Sequence, residues 1–227
     1  MSNVSAQQVK ALRDRTGAGI NDCRLALIEA AGDEEKAVEI ILKKGLAKAA
    51  KKAGAIAAEG IIHSYIHFNK RIGVLVEVNC QTDFVARNED FVRFVDEVAL
   101  HIAGSAPLYV RREDVPEAEK ARQLDIFRGQ LEQEEAKTGK KRPEAAVQKI
   151  LEGKLEKWFA EVCLVEQELM TRDDKKTVQQ LADELTAKTG EKIVVRRFVR
   201  YELGEGIEKK QSDLAAEVAE QLRASGG

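Results

Sequence analysis

The sequence predicts an α+β protein, and three observations carry that expectation. Short amphipathic helices with clear punctuation fill the N-terminal quarter. After Gly60 the character changes to the β-branched runs IIHSYIH and RIGVLVEVNC. Further on, two stretches with helical periodicity, each long enough to span roughly 30 Å, meet at the turn TGKKRP. The resulting plan is a three-helix module with a basic connector over 1–54 and a core over 55–116. A helical hairpin over 117–163, the rest of the core over 164–207 and a C-terminal helix over 208–227 follow.

In order along the chain, Ser5 and Gln8 have capping-box spacing, and Val9, Leu12 and a stop at Gly17 define the first helix. Asn21 has the chemistry of a cap for the second, with Ile20 and Leu25 placed as a hydrophobic staple and Leu25, Leu27 and Ile28 as its apolar face up to Gly32. Asp33 caps a third over Glu34 to Lys44, closing at Gly45. The three make a bundle that need not lean on the rest of the chain. LAKAAKKAGAIAAEG reads as a connecting helix, and Lys43, Lys44, Lys48, Lys51 and Lys52 form a cluster without acidic residues between them.

The Phe68-Asn69-Lys70 turn makes the two β-branched runs a hairpin. A helix capped by Asn88 follows, with Phe91, Phe94, Val95, Val98 and Ile102 on one face. In the helical hairpin, Leu124, Phe127 and Leu131 face Val147, Ile150, Leu151, Leu155, Trp158 and Phe159. Thr177 to Lys188 is predicted helical, KIVVRRFVRYEL a strand, and QSDLAAEVAEQLR a last amphipathic helix.

Composition excludes several functions. Lys and Arg number 37 against 39 Asp and Glu, a near-neutral balance that argues against a chain built to neutralise nucleic-acid phosphates. No apolar run reaches the roughly 20 residues that cross a bilayer, and the start lacks the basic-then-apolar pattern of a secretory signal, so the expected location is the cytoplasm. Cys23, Cys80 and Cys163 form no CxxC pair and read as reduced thiols.

Chemistry is sparse. His63 and His67 have the HxxxH spacing that suits a metal on a helix, but on a strand they stand about 13 Å apart. Gly139-Lys140 and Gly153-Lys154 lack the upstream glycine of a phosphate loop, and Cys80 has no base patterned beside it. The expectation is therefore no catalytic residue, no metal and no cofactor. An RNA- or ribosome-binding helix over Lys43 to Lys52 is the alternative, though it lacks the aromatics that stack on bases.

The oddest stretch is VNCQTDFVARNEDF, where a strand ends in polar Gln81, Thr82 and Asp83 and is followed at once by Phe84. Such an aromatic either folds back into the core or is displayed to a partner. This block, with LRDRTGAGINDCRLAL, KAAKKAG and VVRRFVRYELGEGIEK, resembles the elongation factor Ts family, the guanine-nucleotide exchange factors of the translational GTPase elongation factor Tu. The resemblance covers nearly the whole chain in order.

What it implies is a ubiquitin-associated-like N-terminal module and a core that grips the GTPase. Asp83 and Phe84, flanked by Thr82, Val85, Ala86 and Arg87, would enter the partner near its magnesium and nucleotide. The module would dock through Lys10, Arg13, Ile20, Asn21 and Arg24. Many family members carry two methionines where this chain has Ile20 and Asn21, and Asn21 stays open between a partner contact and a helix cap. With one hairpin unit and no second copy, the chain resembles the family's short form, which implies a homodimer.

Overall fold

The structure, a computed structural model, describes residues 4–52, 54–139 and 141–207. Helix α1 (Ala6–Thr16) opens on a reciprocal cap, with the Gln8 amide donating to Ser5 Oγ at 3.2 Å and the Ser5 amide donating to Gln8 Oε1 at 3.0 Å. It stops at Gly17, whose φ of +66° suits a residue without a Cβ. Helices α2 (Ile20–Glu29) and α3 (Glu34–Lys52) complete the module, α3 starting where the Lys36 amide donates to Asp33 Oδ1 at 3.1 Å. Val9, Leu12, Cys23, Ala26, Leu27, Ala30 and Ala37 form its own small core.

Three expectations about this module are corrected. The residue before α2 is Gly19 and Ile20 is its first residue, so Asn21 lies inside the first turn and caps nothing. Ile20 and Leu25 form no staple, because both are exposed, as is Ile28; Cys23, Ala26 and Leu27 face inward instead. The third helix does not close at Gly45 but runs on through the expected connector. A glycine inside a helix costs about 1 kcal/mol relative to alanine, and here packing explains its presence. A Cβ at Gly45 would stand 2.7 Å from the Cβ of Ala187 on α8 (Val178–Thr189), so the bare backbone is what lets the helices touch. The module thus leans on the core.

Strands β1 (Glu59–Ile66), β2 (Ile72–Cys80) and β3 (Val194–Glu202) form one antiparallel sheet in that order. The β1–β2 turn closes where the Lys70 amide donates to the His67 carbonyl, with Lys70 at φ +56°. Between β2 and β3 the register slips once, Glu77 facing Arg197 and Val78 facing Val195, so Arg196 is the extra residue of a bulge. Val74, Val76, Val78 and Val195 are buried on one face beneath α5 (Glu89–Ser105), which contributes Phe91, Phe94, Val95, Val98 and Ile102 at the expected helical spacing. Helix α8, capped by the Thr177 hydroxyl, adds Val178, Leu181, Ala182 and Leu185.

Between α5 and α8 the chain makes the antiparallel pair α6 (Glu117–Thr138) and α7 (Glu144–Val162), with Leu131, Leu151 and Phe159 buried. Arg112 holds its base, bonding Glu156 and Glu166 and lying 4.9 Å from the centre of the Phe159 ring. The helix expected over 208–227 lies outside the described residues.

Candidate functional site

The site grows out of the end of β2. Toward β3, Asn79 facing Val194 is the last backbone pair, and toward β1 it is Cys80 facing Glu59; beyond these, side chains take over. The Lys192 amide donates to Gln81 Oε1 at 3.0 Å. In return Glu191 Oε2 accepts from the amides of Gln81 and Thr82 at 3.2 and 2.9 Å, and Glu191 Oε1 accepts from the Thr82 hydroxyl at 2.8 Å. Glu191 follows Gly190, the φ +76° stop of α8.

Thr82 then caps a single helical turn, α4 (Asp83–Ala86), its hydroxyl facing the Val85 amide at 3.4 Å. Ala86 is buried and Val85 packs against the core, which turns the opposite side of α4 outward. Phe84 stands there 80% exposed. Asp83 Oδ2 accepts from Arg87 at 2.9 Å across the exposed surface, a pair of the kind that contributes well under about 1 kcal/mol. Of the residues singled out by sequence, Phe84, Asp83 and Arg87 are thus presented, while Thr82, Val85 and Ala86 are what anchors them.

Lys10, Arg13, Ile20, Asn21 and Arg24 are all exposed on α1 and α2, well apart from α4 in the chain. Ile20, Leu25 and Ile28 add an exposed apolar surface to α2, although Leu25 and Ile28 read in sequence as its inward face. The signal was present: α2 carries apolar residues on two sides, and the small Cys23 and Ala26 permit close helix contact where a leucine would hold helices apart. A third exposed apolar surface is the outer face of the sheet. There Ile62, Ile66, Leu75, Val199 and Tyr201 stand together, with Leu75 directly opposite Val199 and Gly73 between Ile66 and Tyr201.

The remaining candidates behave as structure. Cys80 is buried, and burial together with the nearby Glu191 charge pushes its thiol up to about 11, away from the nucleophilic thiolate. His63 Nε2 lies 3.4 Å from Asp96 and His67 Nδ1 lies 2.9 Å from the Tyr65 hydroxyl, so the two imidazoles serve different partners. Among the described residues no group of three or more His, Cys, Asp or Glu could hold a metal, and no helix is long and apolar enough to cross a membrane. In space the basic cluster is less bare than in sequence, since Lys43 meets Glu39 and Lys44 meets Glu29. A cavity of about 270 Å³ between the module and α8 is lined by Arg15, Lys176, Glu184 and Lys188 among others, and these charges are paired: Arg15 with Glu35, Lys176 with Glu184, Lys188 with Asp90.

Fold and site define an α+β protein in which a three-helix module and a small-sheet core hold distinctive side chains out on rigid elements rather than around a pocket. The family model described as elongation factor TS matches residues 34–205. Elongation factor Ts of Desulforamulus reducens is 55% identical over 224 residues, covering 99% of this chain and 100% of the relative. That of Myxococcus xanthus is 57% identical over 222 residues, covering 98% and 99%, and that of Geobacter metallireducens is 53% identical over 217, covering 96% and 97%. The chain belongs to the elongation factor Ts family, and its role is that of a translation elongation factor.

Proposed function

We propose that this chain binds elongation factor Tu and promotes GDP release, and so GDP/GTP exchange, by inserting Asp83 and Phe84 near the partner's magnesium and nucleotide. The observation that carries this reading is Phe84, a large apolar ring 80% exposed on a turn whose two sides are fixed by Thr82 and Ala86. A GTPase holds its nucleotide through a phosphate loop and a magnesium ion, and displacing either lowers affinity. A ring inserted between packed elements moves them apart by its own volume, because protein interiors do not deform without cost. Linkage makes the effect mutual: if the factor weakens nucleotide binding, incoming nucleotide weakens the factor equally and expels it. No covalent bond changes, so the chain acts as an exchange factor rather than an enzyme.

The N-terminal module docks on the partner through Lys10, Arg13, Ile20, Asn21 and Arg24, with Leu25 and Ile28 extending the apolar part of that face. A second copy of the chain covers the outer face of the sheet. Two such faces pack about 10 Å apart around a two-fold axis, and the exposed apolar patch of Ile62, Ile66, Leu75, Val199 and Tyr201 supports that assembly.

The reading is tested by adding the chain to elongation factor Tu loaded with labelled GDP. Release should accelerate in proportion to the chain added and saturate. Release at the spontaneous rate across a wide concentration range would overturn it.

A further inference from the structure

We infer that Glu191 is a positioning residue for the Phe84 turn: from the loop between α8 and β3 it sets how α4 presents the aromatic. This rests on the exchange reading. At 80% exposed, the Phe84 ring is little held by packing of its own, so its aim is inherited from the backbone of Gln81 and Thr82. That backbone has left the sheet, since pairing with β3 ends at Asn79 and Val194 and pairing with β1 at Cys80 and Glu59. The carboxylate of Glu191 replaces the missing ladder, taking both amides and the Thr82 hydroxyl, while Gln81 Oε1 takes the Lys192 amide in return. Four bonds thus join residues about 110 positions apart, where the β2–β3 ladder would otherwise fray.

The clamp has support of its own. Gly190 turns the chain at φ +76° with open space around it, and the Glu191 amide donates to Thr189 Oγ1 at 3.3 Å, which fixes the direction from which the side chain reaches Thr82. One turn back, Lys188 bonds Asp90 at the start of α5 at 2.6 Å, and Ala187 meets Gly45 of the docking module. The same end of α8 therefore touches the module and holds the wedge. Glu191 touches neither nucleotide nor partner in this account; it acts through Thr82 and Phe84.

The test measures stimulated release of labelled GDP against factor concentration for the wild type, Glu191→Ala, Glu191→Gln, Phe84→Ala and the Phe84→Ala/Glu191→Ala double variant. Hydrogen exchange of the Gln81 and Thr82 amides is followed on the free proteins. Glu191→Ala should speed exchange at both amides and lower maximal release roughly tenfold, about the loss of one charge-assisted hydrogen bond, while the half-saturating concentration set by the docking module stays put. Glu191→Gln, whose amide oxygen still accepts from both backbone donors, should recover most of the release. The double variant should release no more slowly than Phe84→Ala alone, since one residue acts through the other. Should Glu191→Ala not fold, Glu191→Asp keeps the charge but withdraws it by one methylene and should show the same loss. Wild-type maximal release in a variant with loosened amides, or losses that multiply in the double variant, would overturn the inference alone. Wild-type release by Phe84→Ala would overturn the exchange reading and this inference with it.

Discussion

His101, buried on α5, shows how completely one side chain is specified here. The Met170 amide donates to its Nδ1 at 3.2 Å, and its Nε2 lies 2.9 Å from Gln167 Oε1, whose own amide nitrogen donates to the Glu161 carbonyl. Nδ1 is thus an acceptor and Nε2 the donor, a neutral tautomer. Burial holds the imidazole below its ordinary value of 6.5, so between the folded and unfolded values the unfolded chain binds more protons and stability rises with pH. Stability should fall as pH drops below 6.5, by at most about 1.4 kcal/mol per pH unit for one proton, read as a falling melting temperature, and His101→Gln should flatten that part of the profile. At this scale the sequence disclosed residues whose partners are near in the chain, Ser5 with Gln8 and the caps Asp33 and Asn88, whereas the residues alone left Phe84 open between core and display. Glu191 and His101 were not legible, because what defines them is a partner brought close only by folding.

Among elements, the meeting of α3 and α8 rests on the absence of a side chain. Gly45→Leu should force the helices apart and destabilise the protein by roughly 1 to 3 kcal/mol, read as a lower denaturation midpoint in urea. On the proposed docking role it should also raise the factor concentration needed for half-maximal GDP release, because the N-terminal module would lose its seat on α8. An unchanged midpoint would mean the two helices do not bear on one another in solution. Periodicity located α5, α6, α7 and α8 and all three strands well, since each turns one apolar side toward a packing partner. It failed where a helix is apolar on two sides, as α2 is, and where a glycine that reads as a stop is a contact. Leu25, Ile28 and Gly45 look in sequence like core, core and terminus; which side of α2 is inside depends on the small residues Cys23 and Ala26, and which glycine ends a helix depends on what packs there.

Among the described residues the buried apolar side chains form three clusters, one in the N-terminal module, one under the sheet and a small one of Val115, Phe159 and Cys163 at the base of the helical hairpin. Deleting residues 1–54 should therefore leave a folded core that stimulates release only at much higher concentration; equal potency at low concentration would contradict the docking role. The exposed sheet face predicts a dimer by light scattering at micromolar concentration, and Val199→Glu, which places a charge opposite Leu75, should shift it toward monomer. The central claim is that Phe84 is displayed to do work on a partner. It is tested most directly by melting temperature and stimulated GDP release on one preparation of Phe84→Ala. An exposed ring predicts an unchanged melting temperature and strongly slowed release at saturating factor. A core aromatic would instead cost roughly 3 to 5 kcal/mol, and a large drop in melting temperature with normal release per folded molecule would contradict the account.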